Sequence, residues 1–142
     1  MFEYKIIEDE VKSDYAFEVT ADTLSELFKG AGLATMEAMV VPNTIEENKE
    51  WNFELKAQDE RMLLYDFLSE LIFLKDAETV LFSDFDIVIE DKGEFALSCK
   101  AKGAAINWEK DILLTDVKAV TMYEFKVEKR DGNWYCHVIL DL

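Results

Sequence analysis

Between Asp59 and Leu74 the chain places Leu63, Leu64, Phe67, Leu68, Leu71, Ile72 and Leu74 at helical spacing. A stripe that wide has to be buried, so whatever else forms must supply a surface for this helix. Asp59 stands where an N-cap is needed. A second helix is expected from Leu24 to about Met39. Thr23 or Asp22 caps it, and Leu24, Leu27, Phe28 and Ala31 lie along one face. Gly30 and Gly32 interrupt that helix and imply a kink or close packing.

The surface for the helices comes from segments of period two. Tyr15, Phe17 and Val19 oppose Asp14, Glu18 and Thr20, which predicts a strand over 14–20. Further strands are expected at Trp51–Ala57, Phe85–Glu90 and Phe95–Lys102, the last two joined by the Asp91-Lys92-Gly93 turn. Gly103–Lys110 reads as a loop and Ile112–Leu114 as a short strand. Val117, Ala119, Thr121, Tyr123, Phe125 and Val127 alternate as one arm of a hairpin, which turns at Asp131-Gly132 and returns over Trp134–Leu140. No linker or repeat divides the pattern. The expectation is one α+β domain over residues 1–142, with mostly antiparallel strands packed against two helices.

With 50% hydrophobic residues among 142, a chain of this kind can bury roughly two-thirds of its unfolded surface, so a packed core is expected rather than disorder. No apolar run reaches the length of a membrane helix, and the first ten residues lack the signature of a signal peptide. The charge is the unusual property: 31 acidic against 15 basic side chains, a net −16. Such a field repels phosphate backbones, so strong direct nucleic-acid binding is not expected, whereas basic protein surfaces and cations are favoured.

Cys99, Cys136 and the single histidine His137 are too few for a zinc site. Both cysteines read as buried thiols in strands, which fits a reducing compartment and a cytoplasmic location. No hydrolase elbow, phosphate loop or dinucleotide fingerprint is present, and carboxylate pairs are too abundant to single out an acid and a base. His137 reads as a packed or hydrogen-bonded strand residue. No catalytic centre is therefore expected.

One placement is more informative. Asp141 and Leu142 end this sequence directly after an apolar strand, so a side-chain carboxylate and an α-carboxylate are close together. Asp14 opens the first predicted strand. If the first and last strands are neighbours, Asp14 joins a group of oxygen donors of the sort that hard cations such as Ca²⁺ collect. Lys118, a cation in an otherwise uncharged stretch, is a candidate contact residue, with a surface lysine as the alternative.

Several segments together resemble the archease family. The helix at Met62–Leu74 is similar to its "LLVDWLNELLYL", Leu24–Ala38 to its "SLEELFENAALALFELM", and Phe82-Ser83-Asp84-Phe85 to the stretch that follows the former. Val117-Lys118-Ala119-Val120-Thr121 reproduces "VKAVT", and Val138-Ile139-Leu140-Asp141-Leu142 is similar to the terminal "VIVDV". The family's "DHTAD" stands here as Glu10-Val11-Lys12-Ser13-Asp14, keeping the last aspartate and replacing the histidine. The resemblance implies a sandwich with an inserted strand-and-helix unit. It implies a Ca²⁺-type site, or one for another divalent cation, at Asp14, Asp141 and Leu142. It implies a non-enzymatic role in tRNA splicing: activation of an RtcB-type RNA ligase by promoting its guanylylation and multiple turnover. Lys118 and Glu10 become candidate partner or nucleotide contacts. The alternative role is a chaperone or modulator of a tRNA (cytosine) methyltransferase; a small acidic enzyme is the remaining, weaker reading.

Overall fold

A computed structural model describes residues 1–7, 14–109, 111 and 113–142. Two antiparallel sheets and two helices make up the fold. The first sheet contains β1 (Phe2–Ile7), β2 (Asp14–Ala21), β6 (Ala119–Val120), β7 (Lys126–Arg130) and β8 (Asn133–Asp141). Its order is β1-β2-β8, with β6 and β7 both paired to β8. The second sheet holds β3 (Lys49–Ala57), β4 (Val80–Asp91) and β5 (Phe95–Ala105) in the order β3-β5-β4. The helices are α1 (Leu24–Met39) and α2 (Glu60–Glu78). The α+β class is as expected. The inserted unit is residues 49–105, which supply the whole second sheet together with α2.

Each helix begins where its cap dictates. Thr23 accepts from the Glu26 N–H at 3.2 Å and Asp59 from the Met62 N–H at 2.8 Å, each satisfying a donor left over in the first turn. The two glycines of α1 mark close packing. A Cβ at Gly30 would lie 2.7 Å from both Phe2 Cδ1 and Val19 Cγ1, and one at Gly32 would lie 2.8 Å from Phe85 Cε2. The first contact is with the first sheet and the second with β4, so α1 is held between the sheets. Phe67 of α2 touches Phe28 of α1, Phe53 of β3 and Phe85 of β4, which joins the helices to the second sheet in one core.

Four expectations need correction. Phe2–Ile7 is a strand although only its lack of a signal had been read; Phe2, Tyr4 and Ile6 alternate with Glu3 and Lys5, and the segment pairs with β2 throughout. Gly103–Lys110 is not all loop, because β5 runs on to Ala105; there it meets Val80–Phe82, which extend β4 five residues ahead of Phe85. Ile112 and Lys110 lie outside the described residues, and Leu113 contributes only an isolated bridge to Val40. The hairpin arm from Val117 to Val127 is broken in two. Val120 and Phe125 are buried while Ala119 and Tyr123 are exposed, so the alternation changes phase across a turn in which Glu124 has φ 52°. The β7–β8 hairpin itself turns at Asp131 and Gly132, both at positive φ, as the two-residue loop requires.

Gly103 carries a consequence for stability. It sits in β5 beside a register shift in β4, and a Cβ there would come within 2.0 Å of the Leu81 carbonyl oxygen. Only backbone movement can relieve that contact. Gly103→Ala is expected to cost about 3 kcal/mol, a fall in melting temperature of roughly 10 °C in thermal denaturation. A variant melting within about 2 °C of the parent would contradict this packing.

A candidate cation site where the second and last strands meet

Apolar pairing fixes which residues face solvent at this end of the sheet. Tyr15 pairs with Leu140, Phe17 with Val138 and Val19 with Cys136, and all but Tyr15 are fully buried. A slip of one residue would turn every one of these to the opposite face, so the register is strongly specified. It follows that the alternate residues, Asp14 and Asp141, are direct cross-strand partners on the outer face. Paired residues in an antiparallel ladder have Cα atoms about 5 Å apart. Both aspartates are half-buried.

Asp141 is also held from its other side. It pairs with Ala119, and the Lys118 N–H donates to its carbonyl oxygen at 2.8 Å. The exposed Lys118 thus begins one peptide away from the carboxylate pair. Leu142 follows Asp141 and packs its partly buried side chain against the core. The structure therefore brings Asp14, Asp141, Leu142 and the Lys118 backbone together. Glu10 lies outside the described residues.

Two carboxylates directly opposed in a sheet repel one another. Among the described residues neither Asp14 nor Asp141 has a salt-bridge partner. The donor set is all oxygen and all anionic, which suits a hard divalent cation. Among the described residues no three Asp, Glu, His or Cys side chains converge as a complete metal cage. The third protein donor would be the Leu142 α-carboxylate, and the remaining positions of a six- to eight-coordinate ion would fall to water or a partner.

Sequence reasoning missed two features around the site. Tyr4 and Tyr15 stand by Glu37 of α1; burial first, and then the Glu37 carboxylate, push both phenols above their ordinary pKa. The second feature is Lys75, on the last turn of α2 and only 7% exposed. Its Nζ donates to Asp116 and, at 2.8 Å, to the Val117 carbonyl. It anchors the residue that precedes Lys118. A lysine in the last turn of a helix gives no signal of this in sequence, because its partner lies 42 residues away.

Nothing on the described surface assembles a nucleophile with a base. His137 Nδ1 lies 2.8 Å from the Glu124 carbonyl, a strand histidine tied to a turn. Cys99 and Cys136 are buried and free. Burial, with Asp86 nearby for Cys99, pushes both thiols up to about 12, so neither supplies a thiolate near neutrality.

Two sheets enclosing α1, an insertion bearing α2, and an aspartate from each of two paired strands at one sheet end define an α+β protein with two opposed carboxylates on one sheet face. Residues 4–142 match the Archease protein family (MTH1598/TM1083). An archease from Pyrococcus furiosus is 36% identical over 132 residues, covering 92% of this chain and 93% of that protein. One from Methanothermobacter thermautotrophicus is 37% identical, covering 89% and 96%. The solution structure of protein 1598 from Methanobacterium thermoautotrophicum superposes with a TM-score of 0.84 at 35% identity, covering 99% and 98%. A crystal structure from Thermotoga maritima, described as an archease and possible chaperone, shares the fold with a TM-score of 0.60 at 17% identity, covering 96% of each chain. The chain belongs to the archease family.

Proposed function

We propose that this protein is a non-enzymatic activator of an RtcB-type RNA ligase in tRNA splicing, promoting guanylylation and repeated turnover of its partner. The direct pairing of Asp14 with Asp141 carries the reading, with Lys118 fastened by its backbone to the same strand end. Asp14, Asp141 and the Leu142 α-carboxylate would hold a Ca²⁺-type cation, whose charge would offset the repulsion of the opposed carboxylates. The chain's own residues do the rest. The β2–β8 register fixes the carboxylates, β6 fixes Lys118, and Lys118 offers its ammonium to a nucleotide phosphate or a partner carboxylate. The net charge of −16 steers the molecule to a basic, RNA-handling surface and away from the RNA itself. Among the described residues no helix is long and apolar enough to cross a membrane, and the cytoplasm is the proposed location.

Multiple-turnover ligation tests this directly. Asp14→Ala, Asp141→Ala and Lys118→Ala are each expected to lower stimulation of the ligase by about tenfold or more, while single-turnover joining by pre-guanylylated ligase is unaffected. Full stimulation by all three variants would remove the proposal. The description of the Thermotoga protein as a possible chaperone favours a second reading, in which a tRNA (cytosine) methyltransferase is the client. Co-purification distinguishes the two by which enzyme is retained.

A further inference from the structure

On the side where α2 ends, Ile106, Trp108 and residues 113–116 border a groove of about 450 Å³, in the range of binding clefts. Met39 and Leu81 are buried in its floor, and Ile106, Trp108, Leu113 and Leu114 line it. Trp108 is 71% exposed and Leu114 56%. Side chains of this kind are held out at a cost in hydration, and a cluster of them marks a contact surface.

The groove is built on fixed backbone. The Leu114 N–H donates to the Met39 carbonyl at 2.7 Å, Thr115 N–H to Ala38 at 3.2 Å and Ile106 N–H to Thr79 at 2.9 Å. Lys75 ties Asp116 and Val117 to α2. Ile106 on one side of Trp108 and Leu114 on the other are thus each tied to the body of the domain.

Charge selects the occupant. Asp76 and Asp116 stand on one lip with exposed carboxylates, already sharing Lys75. Among the described residues, Trp108 also borders a neighbouring cleft that contains Glu109 and Asp111 together with Lys49. The apolar groove is therefore bordered by a carboxylate excess, on a molecule of net charge −16. That field disfavours a second copy, a nucleic acid and an anionic lipid surface alike. The geometry points to a docking site for an amphipathic basic segment of a partner protein, with its apolar side chains packed beside Trp108 and Leu114 and its lysines or arginines against the bordering carboxylates. This rests on the reading of the chain as an accessory protein, though not on which enzyme it serves.

Isothermal titration with a short leucine–lysine amphipathic peptide is the first arm of the test, and an analogue with serine at every leucine is its control. Wild-type protein is expected to bind the leucine peptide at least about tenfold more tightly than the analogue. A Trp108→Ala/Leu114→Ser protein is expected to lose that preference while its melting temperature is retained, since both side chains are exposed. Equal binding of both peptides, no binding by wild type, or an unchanged preference in the double variant overturns the site. Size exclusion is run in parallel; a dimer dispersed by the double variant would assign the groove to a second copy and overturn the proposal. Titration of the RtcB-type ligase forms the second arm. Peptide binding without ligase binding sinks the ligase assignment and leaves the groove standing, and ligase binding indifferent to the double variant places the ligase interface elsewhere and sinks the assignment of the groove to that enzyme.

Discussion

Asp14→Asn and Asp141→Asn are expected to abolish stabilisation by calcium while leaving the metal-free protein as stable as the parent, or slightly more so. An ion that binds only the folded chain adds about 2.7 kcal/mol at a hundredfold excess over its dissociation constant, which for a domain of this length raises the melting temperature by roughly 8 °C. Without the ion, the two carboxylates face each other across the β2–β8 ladder with no cationic partner among the described residues. Removing one charge then relieves repulsion of roughly 0.2–1 kcal/mol. The opposite signs of the two effects are what make the pair of substitutions informative. A thermal shift with calcium and with chelator reads both, and an undiminished calcium shift in both variants would show that these aspartates hold no ion. Point substitution is the better route than trimming the chain end. Asp141 pairs with β2 and β6, and Leu142 packs on the core, so deletion would unravel a strand end as well as the donors.

Phe67→Ala is expected to cost about 3–5 kcal/mol, enough to lower the melting temperature by roughly 12 °C and to bring unfolding within reach of ordinary conditions. The ring is fully buried, with centroid separations of 5.7 Å to Phe28, 6.2 Å to Phe53 and 5.8 Å to Phe85. Those neighbours belong to α1, β3 and β4, none of which can close the hole without dragging a helix or a strand. Phe67→Leu fills much of the cavity and should recover more than half the loss in urea denaturation. An alanine variant destabilised by less than about 1 kcal/mol would mean that the two helices are not joined to the second sheet through this ring.

The two effects separate stability from function. Phe67 lies on the far side of α1 from the paired aspartates, among residues of the inserted unit. Its loss weakens the whole domain. The aspartates sit on the solvent face of the first sheet, where substitution is structurally cheap. Conserved fold with altered stimulation of a partner is therefore expected only from the second class.

The helices were legible in the sequence because their evidence is local. Thr23 and Asp59 cap within three residues of the N–H groups they serve, and the apolar stripe of α2 repeats within one turn. The strand over 14–20, which the structure extends to Ala21, and the turn at Asp131-Gly132 were legible for the same reason. The hairpin arm was misjudged between Thr121 and Phe125, where contacts distant in sequence override the local alternation. Phe125 keeps the apolar face and meets Tyr65 and Arg61 of α2, but Val120 is buried out of phase while Ala119 and Tyr123 are exposed, and no period along the arm reports that. The N-terminal half of β4 and the end of β5 were missed similarly, since each is a strand only because the other is present.

For the candidate site, the sequence determined the side chains: an aspartate at the head of one strand and an aspartate at the foot of another. It could not determine that they meet. That depends on β2 lying beside β8 in a register that puts residue 14 opposite residue 141, and the register is chosen by how Phe17, Val19, Cys136 and Val138 fill the space under α1. Local chemistry is written residue by residue, whereas the juxtaposition of residues 127 positions apart is a property of the packed core alone.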